Sequence, residues 1–172
     1  MKTTLKSVFA IALFALCSNV SAQTLKLAHI NMEELIVSMP EYDSATVKLQ
    51  KVAKGIDEEL ESMRVELNRK YEDYLKKRDD LTELVRSSKE QDIQALNQRI
   101  QVYQEQAQES YQQEQAKLMQ PVLEKANKAI ETVAKEQGIT YVISANNQIL
   151  IFKAVGTLDL LPAAKQHLGI KK

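Results

Sequence analysis

Leu49, Ala53, Ile56, Leu60, Met63, Leu67, Tyr71, Tyr74, Leu81 and Val85 recur at steps of 3 and 4, with Arg78 filling the one polar place. That is a helical seam, heptad-like, with an extra step of 4 between Leu67 and Tyr71. It resumes at Ile93, Leu96, Ile100, Tyr103, Ala107 and Tyr111, and again at Leu118, Val122, Ala126, Ala129 and Val133. Off the seam stand Lys, Glu, Asp and Arg, as on a solvated rod. Aromatic residues make up only 5% of the chain and Trp is absent, so a large globular core is not expected. Gly55, inside the first run, costs a helix about 1 kcal/mol relative to Ala. Glu114 and the stretch QEQAQESYQQEQ weaken the second run, by loose packing or for binding.

Short segments flank the seam. LKLAHIN, residues 25–31, alternates as a strand, with Leu25, Leu27 and His29 on one face and Lys26, Ala28 and Ile30 on the other. Asn31 is placed to cap a helical turn over Met32 to Val37, with Glu34 completing a capping box. Ser38 with Glu41 forms a second box, with Pro40 in the first turn. At the far end Gly138 caps the helix, and ITYVIS, ANNQ and ILIFKAV read as a β-hairpin over residues 139–155. GTLDLLPAAKQHLG reads as a short last helix, capped by Thr157 or Asp159 and stopped by Gly169.

A straight rod would leave the first strand and the later ones unpaired at opposite ends. A helical hairpin brings them together. The expectation is therefore two helices of 48 residues each, Ser38 to Val85 and Glu90 to Gln137, turning near 85–91. Each would be roughly 70 Å long. The fold class is α+β, and domain limits follow: 38–137 as the helical hairpin, 23–37 and 138–172 as a β-rich body. Both later strands are apolar on both faces, more than a lone sheet and one short helix bury. Oligomerisation is the expected source of the missing cover.

MKTTLKSVFAIALFALCSNVSAQ carries Lys2 and Lys6, an apolar run from Val8 to Leu16, and Val20-Ser21-Ala22 as a small-residue cleavage signal. Residues 1–22 read as a secretory signal peptide cut after Ala22, and the run is too short to span a bilayer. A lipidated Cys17 would want a small residue where Leu16 stands. The mature chain is then 150 residues (172 − 22), without cysteine, with 21 basic and 23 acidic residues after Lys2 and Lys6 leave. Such a chain is exported, periplasmic in a bacterium, and holds no disulfide framework.

This order of export signal, strand, long charged helical hairpin, two strands and short helix resembles the Skp/OmpH family of periplasmic chaperones. The densest resemblance lies at Pro121-Val122, Lys125, Ala129-Ile130, Val133-Ala134, Glu136, Gly138 and Tyr141-Val142, with LKLAHINMEELIVSMPEY at the other end. The resemblance implies a homotrimer whose strands join in a central β-barrel, from which the hairpins hang as tentacles around a cavity. Leu27, Ile30, Tyr141, Ile143, Leu150 and Phe152 are then its trimer-body positions. Pro121 removes one helical hydrogen bond, and its kink would set the tentacle's angle; a tolerated proline is the plain alternative.

The family implies an ATP-independent holdase for unfolded outer-membrane β-barrel proteins, working by many weak, exchangeable contacts. The candidate client contacts are Met63, Tyr71, Tyr74, Leu81, Leu84, Val85, Tyr103 and Tyr111, each also readable as plain seam packing. Lys76, Lys77, Arg78, Arg86 and Lys89 gather toward the tip as a basic patch, offset by Asp79, Asp80, Glu83 and Glu90. The near-neutral chain departs from the strongly basic chaperones of this kind, which leaves membrane or lipopolysaccharide contact open. Outer-membrane assembly machinery is a further partner class.

No catalytic residue, metal site or cofactor site is expected. The four glycines are scattered, without a phosphate loop, and His29 and His167 stand alone. Nucleic-acid binding lacks the interleaving of aromatic and basic residues it needs. Two competing readings from another class are a coiled-coil spacer of the envelope and an accessory subunit of an envelope assembly complex.

Overall fold

A strand of four residues organises the body. β1, Leu27–Ile30, is central, with β2, Tyr141–Ser144, on one side and β3, Leu158–Asp159, on the other. The structure is a computed structural model and describes residues 25–145, 152 and 154–170. Both pairings are parallel: Leu27 opposes Tyr141, His29 opposes Ile143, Ala28 opposes Leu158 and His29 opposes Asp159. Alternation puts Leu27, Tyr141 and Ile143 on one face and Ala28, Ile30 and Val142 on the other. The second face packs into the main core with Leu35, Met39, Val122, Ala126, Val133, Leu160 and Ala164.

The first strand of the expected hairpin over 139–155 forms as β2. Phe152 and Ala154 are not in a strand, and the remaining described partner, β3, sits across β1 from β2. Residues 146–151 and 153, which hold most of the expected turn and return strand, Leu150 among them, lie outside the described residues. A parallel pair needs a long crossover, and the whole helical hairpin serves as the one between β1 and β2. His29 pins β3: its Nδ1–H donates to the Leu158 carbonyl at 2.7 Å, and its own carbonyl accepts from Leu160 N at 2.9 Å. Since a carbonyl only accepts, this bond sets the proton on Nδ1.

Helix α1, Met32–Val37, starts as expected, with Asn31 Oδ1 accepting from Glu34 N at 3.1 Å. The second capping box does not form. Ser38 closes α1 instead, its hydroxyl donating to the Leu35 carbonyl at 2.7 Å, while Glu41 pairs with Lys125. The reason is Pro40 at the first helical position. It forces the preceding residue into an extended conformation, so Met39 becomes the N-cap at φ −85°, ψ 133°.

Helix α2, Pro40–Lys77, and helix α3, Glu83–Glu136, form the arm. They meet through a 3₁₀ turn, Arg78–Asp80, and extended Leu81 and Thr82. The turn thus lies at 78–82, not 85–91, and Ser87 and Ser88 are interior to α3. The arms are unequal, 38 residues against 54. Asp73 and Tyr74 reach Lys89 and Glu90 near the tip, and Glu41 reaches Lys125 at the root. Past Lys125, α3 runs on beside the body, burying Ala126, Ala129, Val133 and Ala134. It passes through Pro121 as one unbroken helix.

Gly138, at φ +63°, ends α3 as expected. Gly138 N donates to Lys135 O at 3.1 Å and Ile139 N to Ala134 O at 2.9 Å, a Schellman pair. Helix α4, Leu161–His167, starts with Asp159 Oδ1 accepting from Leu161 N at 2.9 Å and ends the same way at Gly169, φ +71°.

Candidate functional site

The arm's seam is closed tightly in its outer half. Met63, Leu96 and Ile100 are buried together, with Leu60, Leu67 and Tyr103 packed against them. Met63 and Tyr103 therefore sit in the seam. Tyr74 is also buried, its hydroxyl donating to Glu90 Oε1. That bond pushes the Tyr74 hydroxyl above its usual pKa, with desolvation adding to it and Arg78 and Arg86 opposing. Leu81 and Tyr111 are half-buried. Tyr71, Leu84 and Val85 face solvent, at 51%, 82% and 42% exposure, and so remain available for contact in this structure.

The sequence reading did not single out Leu75, 50% exposed, one turn beyond Tyr71 on the same edge. Its signal was an apolar residue off the 3-and-4 pattern. With Tyr71, Leu84 and Val85 it leaves a sparse apolar surface about the outer end of the arm.

Four of the five tip bases are paired. Lys77 lies 2.7 Å from Asp73, Lys89 3.5 Å from Asp73, Lys76 3.9 Å from Glu72 and Arg86 3.6 Å from Glu83. The bond from Lys77 is the largest influence holding the Asp73 carboxyl below its ordinary range. Arg78 is exposed beside Tyr74. Charges so neutralised make a solvated surface more than an anion-attracting one.

Farther in, a groove of about 340 Å³ opens in the seam, walled by Ala53, Ile56, Leu60, Ala107, Gln108 and Tyr111. At the root a second groove, about 400 Å³, sets Pro121 and Val122 against Pro40 and Ala45. In the body a third, about 750 Å³, runs along α4 beside Leu158, Pro162 and Ile170. One rim of it is the ion pair of Glu34 and Lys165, 2.9 Å apart.

Of the trimer-body positions, Ile30 is inside the protomer core at 3% exposure. Leu27, Tyr141, Ile143 and Phe152 are exposed, at 51%, 59%, 41% and 80%. Leu27, Tyr141 and Ile143 share one sheet face with buried His29, and all three are exposed among the described residues. Among the described residues no three His, Cys, Asp or Glu converge as metal ligands, and no helix is long and apolar enough to cross a membrane.

A long two-helix arm rising from a small parallel sheet, with one sheet face packed in the core and exposed Leu27, Tyr141 and Ile143 on the other, defines an arm-and-body α+β protein. The family model described as Outer membrane protein (OmpH-like) matches residues 26–168, and the chain belongs to that family. Its fold is similar to the crystal structure of a candidate outer membrane chaperone (OmpH-like) from Caulobacter crescentus CB15. The TM-score is 0.73 at 14% identity, over 86% of each chain. No curated protein matches the sequence.

Proposed function

We propose that the chain is an ATP-independent periplasmic holdase that keeps unfolded outer-membrane β-barrel proteins from aggregating. Family membership and the chaperone-like fold support this reading. The observation that carries it is the outer arm, where Tyr71, Leu75, Leu84 and Val85 stay in solvent beside charges already paired with one another. An unfolded barrel strand exposes alternate apolar residues and unpaired backbone, which aggregate. Scattered apolar contacts hold such a segment weakly at many points, and avidity supplies the affinity.

The sheet face carrying exposed Leu27, Tyr141 and Ile143 is where protomers associate on this reading, as a trimer whose arms enclose a cavity. The test is aggregation of a urea-unfolded outer-membrane β-barrel diluted into buffer with residues 23–172, followed by light scattering. Suppression at one trimer per client, little changed by salt, is the expected result. Failure to suppress at any salt would leave the envelope spacer as the reading.

A further inference from the structure

We infer that the seam groove of the arm binds the main chain of an extended, uncharged polypeptide segment, the side-chain amides of Gln104 and Gln108 hydrogen-bonding its unpaired N–H and C=O groups. The assignment rests on the holdase reading, since an unfolded barrel strand is such a segment. The floor of the groove, about 340 Å³, is apolar: Ala107 is buried, and Ile56, Leu60 and Tyr111 are half-buried. The seam stays open here because two of its positions, Ala53 and Ala107, are small. Gln104 and Gln108 stand exposed on the α3 rim, and Asp57 on the α2 rim.

Two other glutamine amides of α3 are already used: Gln113 donates to Glu109 at 3.0 Å and Gln120 to Glu124 at 2.8 Å. Among the described residues, no hydrogen bond engages the side chain of Gln104 or Gln108, and no ion pair engages Asp57. A glutamine amide carries donors and an acceptor, as a peptide group does. Residues four apart on a helix are separated by about 6 Å along its axis, and groups on one edge of an extended chain recur about every 6.6–6.8 Å. Gln104 and Gln108 therefore meet successive groups on one strand edge after a small adjustment of two flexible side chains. Alternate side chains of that strand point down to the apolar floor. Its other edge lies toward Asp57, whose carboxylate accepts from N–H groups. Charge complementarity selects the same occupant: the lining holds no cation to draw an acidic segment, and a single carboxylate.

The probe is a short uncharged peptide, capped at both ends, that alternates Val with Ser, beside a copy in which ester links replace the peptide links and remove every backbone N–H. Binding to residues 23–172 is followed at the groove itself, through the NMR signals of the Ala107 methyl and of the Gln104 and Gln108 side-chain amides. Titration with the peptide should shift all three, and the ester copy should bind at least about fivefold more weakly, the equivalent of about 1 kcal/mol for one lost bond. Gln104→Met with Gln108→Met keeps side-chain length and helix propensity at two exposed positions and removes both amides. At the Ala107 signal, that variant should bind the peptide at least about fivefold more weakly than the parent does. A groove that holds only apolar side chains gives the reverse, tighter binding by the Met variant, and that result overturns the assignment. Equal affinity of the parent for peptide and ester copy overturns it too, as do signals that the peptide leaves unmoved. If aggregation of the unfolded barrel protein is suppressed while these signals stay unmoved, the groove assignment falls and the holdase reading stands. If the signals behave as expected and aggregation is not suppressed, the groove binds extended chain and the holdase reading falls.

Discussion

Leu96 and Leu84 lie on the same helix, and the structure gives them opposite roles. Leu96 is 5% exposed in the block with Met63 and Ile100, and Leu84 is 82% exposed next to the tip turn. Truncating a buried Leu to Ala costs about 2–5 kcal/mol. The seam is two helices wide and can partly collapse, so the lower part of that range, about 2–3 kcal/mol, applies to Leu96→Ala. For a mature chain of this size each kcal/mol moves Tm by roughly 2–4 °C, which gives a fall of roughly 4–12 °C.

Leu84 has only 18% of its surface covered (100 − 82). Full burial of a Leu stabilises by about 1.5–3 kcal/mol, so Leu84→Ala forfeits at most about 0.5 kcal/mol, and Tm moves by about 2 °C or less. If Leu84 holds clients, aggregation suppression should nevertheless weaken. Thermal unfolding by circular dichroism, at one fixed protein concentration because association shifts Tm, is measured beside light scattering at 25 °C, where both variants are folded. The reasoning is refuted by a Leu84→Ala variant that melts as early as Leu96→Ala. It is equally refuted, on the functional side, by one whose suppression equals the parent's.

Other outcomes follow from single contacts. The bond from Lys125 holds the Glu41 carboxyl below its ordinary value of 4.5, so its stabilisation is present above that value and is lost as pH falls through the lowered one. Glu41→Gln should therefore flatten the loss of urea resistance below about pH 4.5 while changing little at very low pH. Tyr74 has the opposite sign: its raised pKa means the Glu90 bond stabilises below 10.0 and is lost as pH climbs above it. In Tyr74→Phe, hydrogen exchange at the tip should be faster at neutral pH and should lose the extra alkaline acceleration. His29→Phe removes the donor to Leu158, and exchange at residues 158–168 should rise more than at 27–30. Ala126→Leu, at a site with 0% exposure, should lower the urea midpoint by the equivalent of about 1–3 kcal/mol through overpacking.

How far the fold could be read from sequence depended on whether its causes were local. Asn31, Gly138 and Gly169 each end or start a helix by bonds to residues within five positions, and each was legible. The seam at Met63, Leu96 and Ile100 was legible from spacing. The tip was not, because a 3₁₀ turn through Arg78, Asp79 and Asp80 needs neither glycine nor proline, while Ser87 and Ser88, the residues with cap chemistry near 85–91, lie inside α3. Pro40 was read as tolerated in a first turn, but its effect on Met39 also disqualified Ser38 as the cap. Strand direction lies further from local cause. Nothing local to β2 or β3 says that they flank β1 from opposite sides; that follows from where α3 delivers β2 and from the bonds by which His29 holds β3. For the candidate contacts, spacing alone could not separate Tyr74, which points into the seam at Glu90, from Tyr71, half exposed one turn before.

The balance of charge constrains how such an arm can work. Full-chain basic and acidic residues are equal at 23 each, yet equality alone would permit a basic tip and an acidic root. The tip pairs remove that option: Asp73 engages both Lys77 and Lys89, and Glu72 and Glu83 engage Lys76 and Arg86. Exposed pairs of this kind add little stability, about 0–1 kcal/mol each, but they cancel the long-range field that would draw an acidic client or lipid. Under the proposed function, capture then falls to apolar side chains, each worth little and together sufficient when several protomers act on one chain. Screening by salt cannot weaken contacts of that type. Salt therefore separates this protein's mode of holding from a charge-driven one more sharply than any single substitution does.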